Sequence, residues 1–215
     1  MTDGPTSARQ LQDMVAGELA DLAELFAGLT GDQWAAPTLC AGWRVREMVA
    51  HLTMPTRMSS LRFFVEIAKD RGNFNRMADR TAKRDAALPE SELVSAMRSD
   101  RLRRWTPPGG GTCGALVHAT VHGLDVTEAL HIDRTPPPPR LRIVLSELVR
   151  PKSAAFFGLD VDGLRMEATD LDWAFGEGTV VTGAAHLLAL ALCGRHVEPG
   201  LLCGDGVAQL TSGVE

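Results

Sequence analysis

Residues 113–131, CGALVHATVHGLDVTEALH, read as one helix, and that reading decides the fold. His118 and His122 lie four residues apart, so both rings leave the same helix face one turn from each other. Two imidazoles at this spacing can bind one metal ion. A zincin helix would also carry glutamate directly after the first histidine; residue 119 is alanine, which disfavours a protease of that kind. A third ligand has to come from another element, and His51, in AHLTMP, is the best candidate. It sits on a predicted helix among apolar neighbours, where a lone imidazole is awkward to bury. Facing the pair across a helical bundle, His51 completes a three-nitrogen set with one position open, the arrangement of catalytic zinc. The alternative is that His51 and His118 are core histidines, each satisfied by its own neighbours.

Working outward toward the N-terminus, residues 6–29 place Leu11, Met14, Val15, Leu22, Leu25, Phe26 and Leu29 mostly at three- and four-residue steps, the mark of an apolar helix face. Thr6 or Ser7 can cap it. Thr30 and Gln33 have the spacing of a capping box, which starts a single turn before Pro37 and Gly42 break the chain. A second helix begins near Arg44 with Val45, Met48, Val49 and Leu52 as its buried stripe, and Pro55 kinks or ends it. Helical pattern resumes over 58–69. The polar stretch 72–88 is expected to be a mobile crossover. A third helix runs from Pro89 or Glu90 to about Trp105, and TPPGGG at 106–111 breaks the chain again.

On the other side, TPPPP at 135–139 reads as a stiff, extended linker. The chain therefore divides into a helical bundle over 1–134 and a small α+β unit over 140–215. In the latter, 141–157 is helical with Pro151 as an interruption, and LRMEATD at 164–170 alternates as a half-buried strand does. Two short strands joined at Gly176, Glu177 and Gly178 are expected to form a hairpin. Residues 184–193 make an apolar helix that ends at Gly194.

Composition narrows the function classes. The 215 residues carry a formal charge of -5 and 45% hydrophobic residues, which fits a packed globular protein without the basic face of a nucleic-acid binder. The one dense basic run, Arg98, Arg101, Arg103 and Arg104, reads as a solvated helix face. No run of about 18 apolar residues predicts a membrane span, and the start of the sequence has no signal-peptide pattern. Cys40, Cys113, Cys193 and Cys203 include no C-x-x-C pair, so reduced thiols of a cytoplasmic protein are expected. Arginine far outnumbers lysine, a composition of GC-rich genomes. Cys113 is either a thiolate near His118 or a small buried hydrophobe. Asp125, three residues after His122, is either a carboxylate orienting that imidazole or a surface acid. His131 lies nine residues beyond His122, near a helix C-terminus where a cation is favoured, and His186 and His196 have no histidine or carboxylate partner at helical spacing, so all three are left out of the site.

Three strings together resemble the mycothiol-dependent maleylpyruvate isomerase family. LTGDQWAAPTLCAGWRVREMVAHL places Trp34, Pro37, Thr38, Cys40, Gly42, Trp43, Val45, Glu47 and His51 on that family's opening pattern, W-x-x-P-[ST]-x-C-x-G-W-x-[VT]-x-[DE]-x-[VL]-x-H-L. VHGLDVTEAL at 121–130 is similar to its second metal motif, and EATDLDW with the LLALALCGR run is similar to its small C-terminal domain. The resemblance implies a mainly α fold, a DinB-like four-helix bundle followed by the small α+β domain. It implies a divalent metal, usually zinc, on His51 and His122, and the use of mycothiol, the low-molecular-weight thiol of actinobacteria. Where the isomerase often has glutamate, this chain has His118; a three-histidine set is common in the wider DinB-like superfamily. The exchange makes the site one unit more positive and puts the specific isomerase activity in doubt. Arg195, in CGR, matches an arginine that the family's C-terminal domain lends to the cleft.

The expected function is therefore a thiol enzyme of the cytoplasm, monomer or homodimer, binding neither nucleic acid nor membrane. A thiol of mycothiol, activated as thiolate at the metal, would add to a small electrophile in S-transfer or isomerisation. Arg195 is expected to hold a substrate carboxylate. Trp43 either lines the pocket or belongs to the core. Two other readings stand beside this one: a metal-binding stress-response protein without turnover, and a hydrolase using metal-bound water.

Overall fold

A computed structural model describes residues 6–212. Ser7 opens α1 (Ala8–Ala27) with a reciprocal capping box: its hydroxyl accepts from the Gln10 N–H, and the Gln10 side chain accepts from the Ser7 N–H. Val15, Leu19, Leu22 and Phe26 form the buried stripe of this helix. Thr30 and Gln33 start α2 (Gly31–Ala35) by the same device. Helix α3 (Val45–Leu52) buries Val45, Met48, Val49 and Leu52 and stops where Pro55 enters. A single turn, α4 (Met54–Arg57), and α5 (Ser60–Lys69) follow.

The stretch read as a crossover is instead a helix, α6 (Phe74–Asp85), packed mainly on α3. Its composition is polar, but Met77, Ala78, Thr81, Ala82 and Asp85 recur at helical spacing and are buried. The polar members of that stripe are satisfied locally. The Thr81 hydroxyl donates to the Met77 carbonyl at 2.8 Å, and Arg57 Nε donates to Asp85 at 3.0 Å. The third long helix is two pieces, α7 (Glu90–Met97) and α8 (Asp100–Arg103). Ser99 divides them, because its hydroxyl accepts from the Leu102 N–H and so starts a new helix instead of continuing the old one.

Helix α9 (Gly111–Ala129) carries the two predicted histidines and packs against α1 and α3. Gly123 permits the contact with α1: a Cβ there would meet Leu22 Cδ2 at 2.7 Å. The TPPPP run is shorter as a linker than expected, since α10 (Pro138–Leu148) starts within it. Pro138 and Pro139 fill a first helical turn that needs no N–H donors. The segment before α10 is tied to α1 by a buried carboxylate, Glu18, which accepts from Arg134 at 2.8 Å and Arg140 at 2.7 Å.

After α11 (Pro151–Phe157) come β1 (Leu164–Ala168), β2 (Ala174–Phe175) and β3 (Thr179–Gly183). Then α12 (Ala185–Ala191), β4 (Leu202–Cys203) and α13 (Val207–Thr211) complete the chain. The sheet order is β2-β1-β3-β4, so the expected β2–β3 hairpin does not form. β1 lies between those strands, antiparallel to β2 and parallel to β3. Gly176 and Gly178 take the chain around the start of β1 rather than through a tight turn. Both have positive φ, and a Cβ on either would strike the carbonyl oxygens of Leu164 and Gly163.

One apolar cluster runs from Val15 in α1 to Leu210 in α13 and contains most of the buried side chains. Met54, Met58 and Met77 form a second, smaller one under α5. Among the described residues no helix is long and apolar enough to cross a membrane.

Candidate metal centre

His51 lies one residue before the end of α3, and His118 and His122 lie in the first two thirds of α9. The packing of these two helices brings the three rings together. One nitrogen from each lies within 4.8 Å of the others. His51 Nε2 and His118 Nε2 are 3.0 Å apart. The ring centroids are separated by 5.0 Å for His51 and His118, 5.1 Å for His51 and His122, and 4.8 Å for His118 and His122. Zinc–nitrogen bonds of about 2.0–2.1 Å put adjacent ligand nitrogens roughly 3.4 Å apart, a spacing that this cluster can supply.

The donor set fits a divalent cation. Burial holds the His51 and His118 imidazoles well below their ordinary pKa of 6.5, and the neighbouring His122 lowers them further. Neutral imidazoles keep a lone pair for a metal, which protonated ones lack. His51 Nδ1 is buried and has no hydrogen-bond partner among the described residues, while Nε2 of the same ring faces His118. His122 is oriented from behind. Its Nδ1 lies 2.9 Å from Asp125 Oδ2, which leaves Nε2 as the nitrogen free to ligate.

Asp125 is fully buried and is no surface acid. Arg195, just beyond α12, grips it with both edges of a fork: Nε donates to Oδ1 and Nη2 to Oδ2, each at 2.9 Å. Burial alone would raise the Asp125 carboxyl; the bonds from His122 and Arg195 overcome that and hold it below the ordinary carboxylate range. Arg195 Nη1 also donates to the Cys193 carbonyl at 2.8 Å. The arginine expected to meet a substrate carboxylate therefore already holds a carboxylate of the protein. It also lines a cavity of about 270 Å³ with His196, Glu198, Leu202, Val207 and Thr211 among its walls.

Trp43 is both core and site wall. Its ring is buried, 4.8 Å from the His51 centroid and 6.4 Å from that of His122, and its Nε1 donates to Asp79 at 3.0 Å. A second indole, Trp105, meets His118 edge-on at 5.2 Å. Nothing in the sequence singles it out: it stands between α8 and the TPPGGG break, where no periodicity applies. Asp79 carries no such signal either, because it lies in α6, a stretch too polar for its periodicity to mark a helix. Cys113 does not join the cluster among the described residues; its nearest charged neighbours are Glu147 and Arg150, away from His118. Cys40 and Cys193 lie closer, within electrostatic reach of Asp125 and Arg195. Burial raises the Cys40 thiol and pushes that of Cys193 up to about 12, so both stay protonated. His186, left out of the site, faces Glu128 of α9 at 3.5 Å.

Residues 15–127 match the family model described as the mycothiol maleylpyruvate isomerase N-terminal domain. Two uncharacterized proteins of Mycobacterium tuberculosis, from two strains, are each 29% identical over 163 residues. The match covers 65% of this chain and 63% of theirs, so the chain spans under two thirds of the length of these relatives. Among solved structures, that of the mycothiol-dependent maleylpyruvate isomerase shares the fold, with a TM-score of 0.59 at 13% identity over 94% of each chain. A histidine-to-alanine mutant of the same enzyme gives 0.58 over the same coverage.

Proposed function

Because this chain belongs to the mycothiol maleylpyruvate isomerase family, we propose that it is a metal-dependent enzyme that takes mycothiol as its thiol cosubstrate and acts on a small electrophile. The observation that carries this reading is the convergence of three imidazoles, His51, His118 and His122, from two helices. These residues would hold a divalent cation, zinc being the best match to an all-imidazole set, and the chemistry it would supply is to lower the pKa of a thiol bound beside it.

The protein's own groups arrange the rest. Asp125 fixes the His122 ring through Nδ1. Trp43 and Trp105 wall two of the three imidazoles with apolar surface and so limit the water that reaches them. Cys40 and Cys193, kept as thiols by burial, do not compete as nucleophiles, which leaves that part to the cosubstrate. Arg195 keeps N–H groups on Nη1 and Nη2 beyond those bound to Asp125 and Cys193, and these would meet a substrate carboxylate. With an activated alkene as substrate, thiol addition forms a C–S bond at one alkene carbon and places a proton on the other. Rotation about the resulting single bond and loss of the thiol then give the isomer; retention of the C–S bond gives S-transfer.

The test is to measure zinc content, then mycothiol affinity with and without zinc. Replacement of any one of the three histidines by alanine is expected to abolish tight zinc binding, and stripping the metal should weaken mycothiol binding at least tenfold. Mycothiol affinity that ignores both the metal and the histidines would overturn the proposal.

A further inference from the structure

The bond from His122 to Asp125 belongs to a longer chain of contacts that crosses from the C-terminal part of the protein into the histidine cluster. We propose that Arg195 is a positioning residue for the metal centre: it acts through Asp125 to hold the His122 ring with Nδ1–H turned away from the cluster and Nε2 turned into it. This inference rests on the metal-binding reading above, but concerns the protein's own residues.

Three observations support it. First, Asp125 is wholly buried, and all its carboxylate bonds run to two partners, two from Arg195 and one from His122. A carboxylate in that setting has no water to turn toward, so its orientation is set by the fork of Arg195. Second, Asp125 Oδ2 is shared, accepting from Arg195 Nη2 and facing His122 Nδ1 at 2.9 Å in both cases. An ionised carboxylate accepts only, so the hydrogen in the His122 bond lies on Nδ1, and Nε2 is the ring nitrogen that Asp125 does not engage. Third, Arg195 is itself anchored. Its side chain is only 14% exposed, and Nη1 donates to the Cys193 carbonyl just after α12. The end of α12 thus determines where the guanidinium sits, the guanidinium determines where the carboxylate sits, and the carboxylate determines which imidazole nitrogen faces the cluster.

Geometry and charge make opposite demands here, and that separates the proposed role from a simple electrostatic one. Arg195 is a cation near a cation site, so its removal by charge alone would favour metal binding. A fall in zinc affinity on removing it therefore reports positioning. Loss of an outer partner of this kind lowers metal affinity by about tenfold to a hundredfold.

The experiment uses the full chain with Arg195→Met and Arg195→Lys. Zinc affinity is measured by competition with a chromogenic chelator, and the ¹⁵N shifts of the His122 ring are recorded without metal. In the unaltered protein Nδ1 should carry the hydrogen and Nε2 should not. Arg195→Met should bind zinc at least tenfold more weakly and show both tautomers, and Arg195→Lys should recover part of each. Unchanged or tighter zinc binding in Arg195→Met, with the His122 tautomer intact, would overturn the proposal. If Arg195→Met does not fold, the unaltered protein still decides, because a hydrogen on Nε2 with none on Nδ1 excludes the relay. A chain that binds no zinc at all refutes the metal reading, while the tautomer measurement continues to test the relay. An arginine that served substrate alone would raise KM and leave both zinc affinity and tautomer unmoved.

Discussion

The metal-free protein should lose stability steeply as the pH falls below that of free imidazole. His51 and His118 are kept neutral by burial, so in the folded state they resist protonation, whereas in the unfolded chain they take up protons near their ordinary pKa of 6.5. Between the unfolded and folded values the unfolded chain holds more protons, so stability rises with pH in that window and falls as pH drops below 6.5. Each imidazole contributes about 0.7 kcal/mol per pH unit at pH 6.5, rising toward a limit of about 1.4 kcal/mol per unit below it. The pair therefore gives a limiting slope of about 2.7 kcal/mol per unit, which is large against the roughly 5–15 kcal/mol that holds a domain folded. Asp125, Asp85 and Glu47 are held below their usual carboxylate values, so their contribution is present above about pH 4 and is lost only as pH falls further. The histidine slope is thus isolated above about pH 5. Urea unfolding across a series from about pH 7.5 to 5 in the presence of chelator measures it. His118→Gln should roughly halve the slope. Stability that stays flat across this range would refute the claim that both rings are neutral and buried in the folded state.

Two further outcomes are expected. Gly123→Ala should lower the urea midpoint, because the new methyl meets Leu22 Cδ2 at 2.7 Å; overpacking costs about 1–3 kcal/mol, more than the gain of up to about 1 kcal/mol from alanine's helix propensity. Pairing the change with Leu22→Val should recover part of the loss, and a raised midpoint in the single variant would show that α1 and α9 are not in contact here. Trp43→Phe keeps an aromatic face on His51 but loses the Nε1 bond to Asp79. It should cost about 1 kcal/mol in stability and leave zinc affinity within about threefold; a larger affinity loss would give the indole a more direct part in the site.

Local signals in the chain were legible where they act within one turn. The cap at Ser7, the Thr30–Gln33 capping box, the break at Pro55 and the helix end at Gly194 are all where short-range chemistry puts them. The apolar stripe of α1 and the i, i+4 placement of His118 and His122 were equally plain. Where the reading failed, side-chain bonding that apolar periodicity does not record had the deciding influence. Helix α6 looked too polar because two of its buried positions are Thr81 and Asp85, and backbone carbonyls of Met77 and Ala78 with the side chains of Arg57 and Arg84 make them acceptable inside. The break at Ser99 depended on a hydroxyl choosing an N–H ahead of it. Strand order was misread because the glycines that suggested a tight turn in fact make room for the chain to pass another strand. The candidate site shows the same division. Spacing could place two imidazoles on one face, but it could not pair Asp125 with an arginine 70 residues away, nor set Trp105 against His118.

The passage of the chain at Gly176–Gly178 links parts of the molecule that share no side-chain contact. β3 runs from this passage directly into α12, and α12 delivers Arg195. Were one residue inserted between 176 and 178 to move β3 by a single position along β1, Val181 would exchange its place in the core for one in solvent, since strand side chains alternate. The end of α12 would then move relative to α9. A length change in a glycine loop of the sheet would in this way be felt at an imidazole in the bundle, so this loop is a poor site for insertions even though it lies far along the chain from every histidine of the cluster.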